Sequence, residues 1–418
     1  MRAYIPLRAA DGSVYTPADG RSEYIYSRRT YVGPMVSQRA QDVTPFIAMD
    51  VLERANELED VIHLEVGEPD FEPPEAVFEA AIESLRAGNT DYTEAKGKPE
   101  LREAIAAHYG REYGVEVDPE RVVVTPGTSP GLLLALAALV DPGEEVVLTD
   151  PHYACYPNFV RAVGGQIETV RLRAEDGFRP RTGAFEATIS DTTRALLLNS
   201  PANPTGAVMD GETLADVAAV AAAADAMPVV DEVYHGLTYD AEEHTMLEYT
   251  DDAFVLNGFS KRFAMTGWRL GWVIVPPGYV DAMTRLAQNV LICAPNFVQD
   301  AGIAALETPP ERLAEIRETY ETRRDLLVDA VAEWGLDLGY TPQGAYYLLV
   351  DVSELPGDAI DVADFLLEEA GVAVTPGVDF GEGAADYLRV SYATDAESVR
   401  EAIDRIDAAL GRYVPGSF

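Results

Sequence analysis

The sequence is poor in lysine, and nearly all of its basic residues are arginines. Only Lys96, Lys98 and Lys261 occur among 31 basic residues, against 71 acidic ones, so the formal charge of the 418-residue chain is −40. Non-specific nucleic-acid binding requires a broadly basic surface. The composition therefore excludes that class of function, and we expect no nucleic-acid partner.

Cysteines and long apolar runs are also scarce. Cys155 and Cys293 form no CxxC pair and are too few for a disulfide framework, which is typical of a reducing cytoplasm. The longest unbroken apolar run, residues 131–140, is about half of the roughly 20 residues that a membrane-spanning helix needs. We therefore expect a cytoplasmic protein with no membrane segment and no secretory signal.

The acidic, lysine-poor composition predicts a halophilic protein. At molar salt the Debye length falls to about 3 Å, so repulsion among surface carboxylates is largely screened. An acidic protein of an ordinary cytoplasm is the alternative, but it leaves the scarcity of lysine unexplained.

The first 34 residues differ from the rest of the chain. They carry five arginines against three acids, a charge of +2, which leaves −42 for the remainder of the −40 chain. They show no clear helix or strand period. We expect a poorly ordered extension over 1–34, with Met35 as the candidate start of translation.

From residue 42 onward, short β-rich runs alternate with helical patterns. Such alternation indicates an α/β domain with a mostly parallel sheet, whose ligands gather at the carboxyl ends of the strands. The predicted strands are 121–124, 145–149, 167–172, 195–198, 229–233 and 254–257. The predicted helices are 47–58, 101–113, 131–140 and 215–226.

The C-terminal part reads as a second, smaller α+β domain. A long amphipathic helix over 311–334 precedes strand 346–352, helix 360–370, strand 387–392 and helix 396–410. We expect residues 35–60 to join this small domain as its N-terminal segment, residues 61–305 to form the large domain, and residues 306–418 to complete the small one.

Several motifs of common enzyme classes are missing. The chain has no HExxH or CxxC metal motif, no P-loop, and no GxGxxG after a strand. One match remains, because Gly127-Thr128-Ser129-Pro130-Gly131 fits the GxSxG pattern of a hydrolase nucleophile. Proline after the serine lacks the N–H that an oxyanion hole needs, and the chain has no histidine after His244 to complete a triad.

The same segment suits an anion site better. Gly127 lets the backbone approach a ligand, Ser129 can cap the following helix, and Pro130 suits its first position. The free N–H groups of that helix start would then face a phosphate or carboxylate. An ordinary capped turn is the alternative reading of these residues.

Lys261 follows another predicted strand, in Asn257-Gly258-Phe259-Ser260-Lys261. A lysine retained in so lysine-poor a chain invites a chemical explanation, because arginine cannot form a Schiff base. Chance retention is a reasonable explanation for Lys96 and Lys98, which flank the Gly97 turn.

Ser260-Lys261, with Arg269 eight residues on in 265–271, resembles the lysine motif of class I/II aminotransferases, which are pyridoxal 5'-phosphate enzymes of fold type I. Other matches follow in the family's order over roughly 35–412. They are Gly67-Glu68-Pro69-Asp70-Phe71, Tyr92 ahead of Pro99-Glu100-Leu101-Arg102, Gly127-Thr128-Ser129, Asp150-Pro151-His152-Tyr153, residues 199–206, Asp231-Glu232-Val233-Tyr234 and residues 387–391.

The resemblance implies the fold, a cofactor and an oligomer. The expected fold is a mostly parallel, seven-stranded-type sheet sandwiched by helices, plus the smaller α+β domain. The cofactor is pyridoxal 5'-phosphate, and the expected assembly is a homodimer with shared active sites.

The resemblance also assigns the catalytic residues. Lys261 would hold the cofactor as a Schiff base and then act as the base at Cα, its pKa lowered by Arg269 and partial burial. Asp231 would pair with the protonated pyridine nitrogen. Asn203 and Tyr234 would hydrogen-bond the ring's 3'-oxygen, and Tyr153 would stack on the ring. Taken alone, Asp231 would be a turn residue, Asn203 part of a β-turn and Tyr153 a core residue.

The remaining assigned residues bind the phosphate and the substrate. Arg389 would bind the substrate α-carboxylate, beside the backbone of Gly67. Without the resemblance, Arg389 would read as a surface charge. The phosphate would be bound by Gly127, Thr128, Ser129, Ser260 and Arg269 of one chain and by Tyr92 of a second subunit.

The predicted function is transfer of an amino group from an L-amino acid to a 2-oxo acid by a ping-pong cycle. Another pyridoxal phosphate reaction, such as β-elimination or decarboxylation, is the alternative within the fold. A serine hydrolase using Ser129 and a noncatalytic pyridoxal-binding regulator are the alternatives outside it. The substrate side chain stays open, since no second arginine for a dicarboxylate can be assigned.

Overall fold

The computed structural model describes residues 36–181 and 183–412. The expectations for 1–34 and for Met35 fall outside these residues. The helices are α1 Gln38–Asp42, α2 Ile47–Ala55, α3 Glu75–Arg86, α4 Pro99–Tyr113, α5 Thr128–Leu139, α6 Tyr156–Val163, α7 Ala184–Thr188, α8 Gly211–Ala223, α9 Val280–Val290, α10 Asn296–Leu306, α11 Pro310–Glu333, α12 Ala359–Phe365 and α13 Ala396–Leu410. The strands are β1 Ile62–His63, β2 Val122–Thr125, β3 Glu145–Asp150, β4 Gln166–Arg171, β5 Thr193–Asn199, β6 Met227–Asp231, β7 Phe254–Gly258, β8 Gly271–Ile274, β9 Tyr347–Asp351, β10 Val372–Ala373, β11 Thr375–Pro376 and β12 Tyr387–Ser391.

A seven-stranded sheet in the order β2-β8-β7-β6-β5-β3-β4 forms the centre of the large domain. The pairs β3–β4, β3–β5, β5–β6 and β6–β7 are parallel, and β8 runs antiparallel to both of its neighbours. The predicted α/β class with a mostly parallel sheet is therefore confirmed. Because β8 is antiparallel to its neighbours, its first residue lies at the edge of the sheet where the parallel strands end.

Apart from the edge strand β4, which is mostly exposed, the strands of this sheet are largely buried on both faces. Side chains alternate along each strand, so that Leu196 and Leu198 pack into one core while Ala195 and Leu197 pack into the other. Apolar α5 fills part of the second core with Leu132, which is why the run over 131–140 is helical but spans no membrane. Across 36–181 and 183–412, no helix combines the length and the apolar character needed to cross a bilayer.

The smaller α+β unit is built on the antiparallel sheet β11-β12-β9 with its own apolar core. Helices α11 and α13 pack together beside it. β1 pairs in parallel with β10, which brings Ile62–His63 next to C-terminal strands. The division at 35–60, 61–305 and 306–418 stays a prediction.

Element bounds differ from the predicted ones mainly at the ends. The helix predicted over 360–370 is α-helical only to Phe365 and continues as a π-helical turn over Leu366–Ala370. β8 and helices α3, α9 and α10 have no counterpart in the sequence analysis. The helix predicted over 131–140 begins earlier, at Thr128, with Gly127 as its N-cap residue. The assignment of Ser129 as cap and Pro130 as first helical residue is therefore wrong.

Candidate active site

A cavity of about 280 Å³ opens where β2, β5, β6 and β7 end and the small domain packs against them. This is the edge at which ligands bind in open parallel sheets. Most of the predicted site residues line it, namely Gly67, Thr128, Ser129, Tyr153, Asn203, Asp231, Tyr234, Ser260, Lys261, Arg269 and Arg389. These residues are far apart in the sequence, and the fold brings them together at one edge of the sheet.

Lys261 projects into this cavity from the turn after β7. Its Nζ donates to the backbone oxygen of Gly67 at 2.8 Å and lies 5.7 Å from the ring centres of Tyr234 and Tyr346. Burial lowers the pKa of Lys261 to about 8, and the positive charge of Arg389 acts in the same direction. Roughly a tenth of the amine is therefore unprotonated at pH 7, far more than the ordinary pKa of 10.5 would allow, which favours action as a nucleophile or base.

Asp231 ends β6 and is buried, with 8% of its surface exposed. Its Oδ2 accepts from the Tyr156 hydroxyl at 2.9 Å, and its Oδ1 accepts from the backbone N–H of Val233 at 3.1 Å. Burial raises the pKa of Asp231 to about 6, while the Tyr156 hydrogen bond opposes that rise. A carboxylate in this position is stabilised by a cationic ligand group, because an unpaired buried charge is costly.

The start of α5 and the turn before β8 form an anion cradle. Gly127 has a φ of +90°, and a Cβ there would collide with the guanidinium of Arg269. Arg269 itself has a φ of +55° and is held by a hydrogen bond of 2.8 Å from its Nη1 to the oxygen of Thr266. A left-handed non-glycine residue costs about 1 kcal/mol, and such strain concentrates at functional sites. No side chain caps the α5 N–H groups, so they are available to an anion.

Aromatic side chains cover one side of the cavity. Tyr153 lies edge-on to Phe46, with ring centres 6.0 Å apart, and edge-on to Tyr156 at 5.4 Å. Phe46 precedes α2, so the N-terminal segment of the described chain reaches the site. This contribution was not predicted, because the sequence analysis assigned only a helix over 47–58 to this part of the chain.

Two asparagines and two tyrosines connect the sheet edge to the small domain. Asn199 donates from Nδ2 to the oxygen of Asp231 at 2.7 Å and accepts at Oδ1 from the N–H of Asn203 at 2.7 Å. The hydroxyls of Tyr234 and Tyr347 lie 3.0 Å apart. Asn199 and Tyr347 are further residues of the site that the sequence analysis assigned no role, although Asn199 stood within a quoted motif.

Arg389 lies in the middle strand of the small sheet and is only 2% exposed, so the surface-charge alternative is wrong. Its Nη1 donates to Oδ1 of Asn203 at 3.1 Å, and its Nη2 donates to the oxygen of Glu65. The guanidinium packs between the rings of Tyr347 and Phe380, at 4.5 and 4.6 Å.

Arg389 has no carboxylate partner among the residues of 36–181 and 183–412, and its buried Nε has no hydrogen-bond acceptor. A buried guanidinium without a counter-ion is expensive. The arrangement therefore favours an anionic ligand at this position.

Two predicted residues lie outside the cavity lining. Gly127 is directly behind it, next to Thr128 and Arg269. Tyr92 is 84% exposed and does not line the cavity of its own chain. Ser129 does line it, but no histidine is among the lining residues, so the hydrolase alternative lacks a base.

The residues fit pyridoxal 5'-phosphate. The cavity offers a buried lysine for the aldehyde, a buried carboxylate for the ring nitrogen and a glycine-lined anion cradle for the phosphate. Asp231 ends β6, Lys261 follows β7, and the cradle lies where β2 ends and β8 begins, so the three groups lie along one edge of the sheet.

Comparison with known proteins agrees with this geometry. The family model "Aminotransferase class I and II" matches residues 59–406. The aspartate/prephenate aminotransferase of Thermus thermophilus is 39% identical over 385 residues, covering 90% of this chain and 99% of the relative. The valine–pyruvate aminotransferase of Mycobacterium tuberculosis is 38% identical over 378 residues, covering 88% and 97%.

Solved structures give the same result. The structure of aspartate aminotransferase from Thermus thermophilus with maleate superposes with a TM-score of 0.86 at 38% identity, covering 90% of this chain and 99% of that one. The chain therefore belongs to the class I and II aminotransferases and is a pyridoxal-phosphate-dependent transferase of amino groups.

Proposed function

We propose that this enzyme moves an amino group from an L-amino acid to a 2-oxo acid in two half-reactions at one site, by a ping-pong cycle, as part of amino-acid metabolism. The observation that carries the proposal is the convergence of Lys261, Asp231 and Arg389 on one cavity. The cofactor supplies an electron-accepting ring. The side chains of this protein hold the ring, orient the substrate and move a proton.

Lys261 would hold the cofactor and, when free, would act as the base that moves the proton at the substrate Cα. A base acts best when its pKa lies near the working pH, and burial brings the pKa of Lys261 to about 8. Its hydrogen bond to the oxygen of Gly67 holds Nζ at the boundary between the sheet edge and the small domain.

Asp231 keeps the ring nitrogen protonated. The hydrogen bonds from Tyr156 and from the N–H of Val233 orient the carboxylate and stabilise its charged form. A cationic ring nitrogen would complete the pairing that burial makes necessary. When the cofactor is bound, Tyr153 would stack on its ring, and Asn203 and Tyr234 would hydrogen-bond its 3'-oxygen; all three line the cavity.

The phosphate occupies the anion cradle. The free N–H groups at the start of α5 and the guanidinium of Arg269 supply positive potential. Thr128, Ser129 and Ser260 supply hydroxyl groups from the cavity lining, and Gly127 keeps the backbone close.

Arg389 binds the substrate α-carboxylate, with Gly67 beside it. The planar guanidinium can donate two parallel hydrogen bonds to a carboxylate, and its missing counter-ion is then supplied by the substrate. All amino acids carry this group, so Arg389 orients the donor without choosing among side chains.

A half-reaction experiment tests the proposal. A donor amino acid given to the loaded enzyme without an acceptor should release one equivalent of 2-oxo acid per site and no ammonia or carbon dioxide. Adding a second 2-oxo acid should then release the matching amino acid. Continued release of ammonia or carbon dioxide would instead indicate the elimination or decarboxylation alternative.

We also propose a homodimer in which Tyr92 binds the phosphate of the partner's site. The support is that Tyr92 is 84% exposed and outside the cavity of its own chain, although its motif matches the family. Lys261→Ala and Tyr92→Ala proteins, refolded as a mixture, would form mixed dimers with one intact site. Activity above that of either parent is expected, and no gain with mixed dimers demonstrated would contradict the shared site.

A cytoplasmic location and adaptation to high salt complete the proposal. The support is the scarcity of cysteine and lysine and the charge of −40. Dialysis into dilute buffer should unfold or inactivate the enzyme, because its surface charges then repel one another unscreened. Full stability in dilute buffer would contradict the adaptation to salt.

A further inference from the structure

The backbone oxygen of Gly67 accepts hydrogen bonds from two side chains. Nζ of Lys261 donates to it at 2.8 Å, and the hydroxyl of Tyr346 donates to it at 3.0 Å. A carbonyl oxygen has two lone pairs, so these two donors fill its capacity. Lys261, the base of the proposed chemistry, therefore shares its acceptor with Tyr346, to which that chemistry assigns no role.

The hydroxyl of Tyr346 has a fixed position inside the chain. Tyr346 directly precedes β9 and is 0% exposed in the single chain, so a second subunit has no surface of it to contact. Its ring packs edge-on against Tyr234, with ring centres 5.4 Å apart, and lies 5.3 Å from the ring of Tyr320 on α11. Burial raises the pKa of Tyr346 well above its usual value, so the hydroxyl stays protonated and remains a donor.

The chain around Gly67 is also held in place. Three residues on, Asp70 accepts from Arg323 of α11 through both carboxylate oxygens, each at 2.8 Å. Such a pair of parallel hydrogen bonds is geometrically specific. A Cβ on residue 67 would lie 1.6 Å from the hydroxyl oxygen of Tyr347, so only glycine fits there. These contacts fix the segment, and Tyr346 fixes its carbonyl oxygen.

The amine of Lys261 also faces charged groups. Burial has the largest influence and lowers its pKa to about 8. The two carboxylates that face it raise this pKa and the two arginines lower it; they are Glu68, Asp231, Arg269 and Arg389. The Gly67 oxygen is an uncharged acceptor beside them, and a hydrogen bond from an ammonium group to such an oxygen favours the protonated form.

We propose that Tyr346 is a positioning residue for the base of the reaction, because its hydroxyl holds the Gly67 oxygen that receives the Lys261 amine. The inference rests on the proposed function, in which Lys261 moves a proton at the substrate Cα. A base acts well only when it is held at a fixed place near that proton. Because Tyr346 occupies one lone pair of the shared oxygen, it also weakens the hydrogen bond from the ammonium form, which leaves the amine readier to accept a proton from the substrate.

The first test measures the pKa of Lys261 in the enzyme without cofactor. The chain has only three lysines, so enzyme labelled with carbon-13 at the lysine Cε gives three side-chain resonances, of which Lys261→Ala identifies one. Tyr346→Phe removes the competing donor, so the ammonium group should bind the Gly67 oxygen more strongly. We expect the pKa of Lys261 to rise by at least about 0.5. An unchanged or lower pKa in the folded variant would overturn the proposal.

Tyr109→Phe is the matched control. Tyr109 is also 0% exposed, and its hydroxyl accepts from Nε1 of Trp272 at 3.2 Å, outside the cavity. Loss of that hydroxyl should lower folding stability and leave the pKa of Lys261 unchanged. Groups that a second subunit adds act equally on all three proteins and cancel in the comparison. A shift of equal size in the control would overturn the proposal, because any buried tyrosine would then produce it.

The second test follows the rate of a single half-reaction of the loaded enzyme against pH. The base acts only when it is unprotonated, so a higher pKa of Lys261 moves the acidic limb of the profile to higher pH. Tyr346→Phe should therefore be about threefold slower at pH 7 and nearly equal to the wild type at about pH 9.5. An equal loss at every pH would indicate structural damage and would overturn the proposal. If the wild type releases no 2-oxo acid from any donor, the proposed function fails, whereas the pKa measurement stands.

A fluorinated tyrosine at position 346 tests the same hydroxyl without opening a gap. Its phenol is more acidic and therefore a stronger hydrogen-bond donor, and its ring keeps the packing against Tyr234. The pKa of Lys261 should then fall, which is the opposite of the effect of Tyr346→Phe. An upward shift, or none, would overturn the proposal, and this result does not depend on the folding of Tyr346→Phe.

Discussion

The active site has two halves that are built in different ways. The sheet edge comprises Asp231 and Lys261 with the anion cradle at Gly127 and Arg269. The substrate wall comprises Phe46, Met49, Glu65, Gly67 and Arg389. The first half is formed by the ends of neighbouring strands, and the second is formed by segments far apart in the chain that side-chain hydrogen bonds hold together.

The difference separates general chemistry from selection. β6 is hydrogen-bonded on both sides, by β5 and β7, so Asp231 cannot shift without disturbing the sheet. The position of the wall depends on a few contacts, such as Asp379 with the start of α2. A rigid half suits the cofactor, which is the same in every cycle, and an adjustable half suits the choice of substrate. Changes in the sheet edge should therefore affect mainly kcat, and changes in the wall mainly KM and substrate ratios.

The largest effect is expected at Lys261. Lys261→Ala should lower kcat by at least about 10³-fold and abolish the visible absorbance of the attached cofactor, because no other amine lines the cavity of the described chain. Lys96→Ala is the control, since Lys96 pairs with Glu120 away from the site, and its kcat should stay within about twofold. Sustained turnover of the Lys261 variant would remove this residue from the mechanism.

The next largest effect tests the wall. Arg389→Lys keeps the charge but loses the planar pair of donors, so kcat/KM should fall about 10²-fold, mostly through KM. Arg121→Lys is the matched control, because Arg121 is equally a buried arginine but bonds to Val275 and Asp251 outside the cavity. The control should lower the melting temperature, because Arg121 supports the fold. Its KM should equal that of the wild type. A loss in kcat alone for Arg389→Lys would break the proposed division between the halves.

A smaller, pH-dependent effect is expected at Asp231. Burial raises the pKa of this carboxyl from 3.8 to about 6 in the chain without cofactor, so that it is mostly neutral at pH 5 and ionised at pH 7.5. Only the ionised form pairs with a cationic ring nitrogen. The affinity for the cofactor, relative to that of Asp231→Asn, should therefore rise about tenfold between pH 5 and pH 7.5.

The comparison with Asp231→Asn cancels the titration of the cofactor's own phosphate, which both proteins share. Equilibrium titration of the two apoenzymes at each pH measures the ratio. A ratio independent of pH would mean that Asp231 does not meet the ring nitrogen.

The smallest effect is expected at Asp379, whose carboxylate fixes the start of α2 beside the cavity. Asp379→Asn replaces one of the two acceptor oxygens by an amide donor that faces the N–H of Ile47 or Ala48. Because one hydrogen bond is lost, the start of α2 should loosen. We expect KM to rise about threefold, with kcat unchanged. Burial raises the pKa of Asp379 to about 6, and protonation also removes an acceptor. The wild-type KM should therefore rise as the pH falls through 6, while the variant shows less dependence. Glu53→Gln, on the exposed side of α2, is the control and should reproduce the wild-type profile.

The α/β class and the strand ends that carry Asp231 and Lys261 were predictable, because strand periodicity and a polar residue after an apolar run are local features. β8 was not predicted, since it is a four-residue strand that starts directly after the turn at Arg269. Phe46 and Tyr347 were also missed, as nothing near them in the chain shows that they meet the cavity. Ser129 was assigned a capping role because its residue type suits that role, whereas α5 begins two residues earlier than expected, after Gly127, which packs closely against Arg269.

The sequence by itself determined the family and the cofactor and predicted the residues that act on it, because these depend on residue types in an ordered set of motifs. Only the tertiary structure decided that Arg389 is buried without a carboxylate partner in the described part of the chain, and that Phe46 and Met49 line the same cavity. Those properties arise where β12, which begins at Tyr387, meets α2 and β1, which end at Ala55 and His63. A charge acquires its chemical role from its distance to other charges and from its exposure to water, and both are set only when the chain has folded.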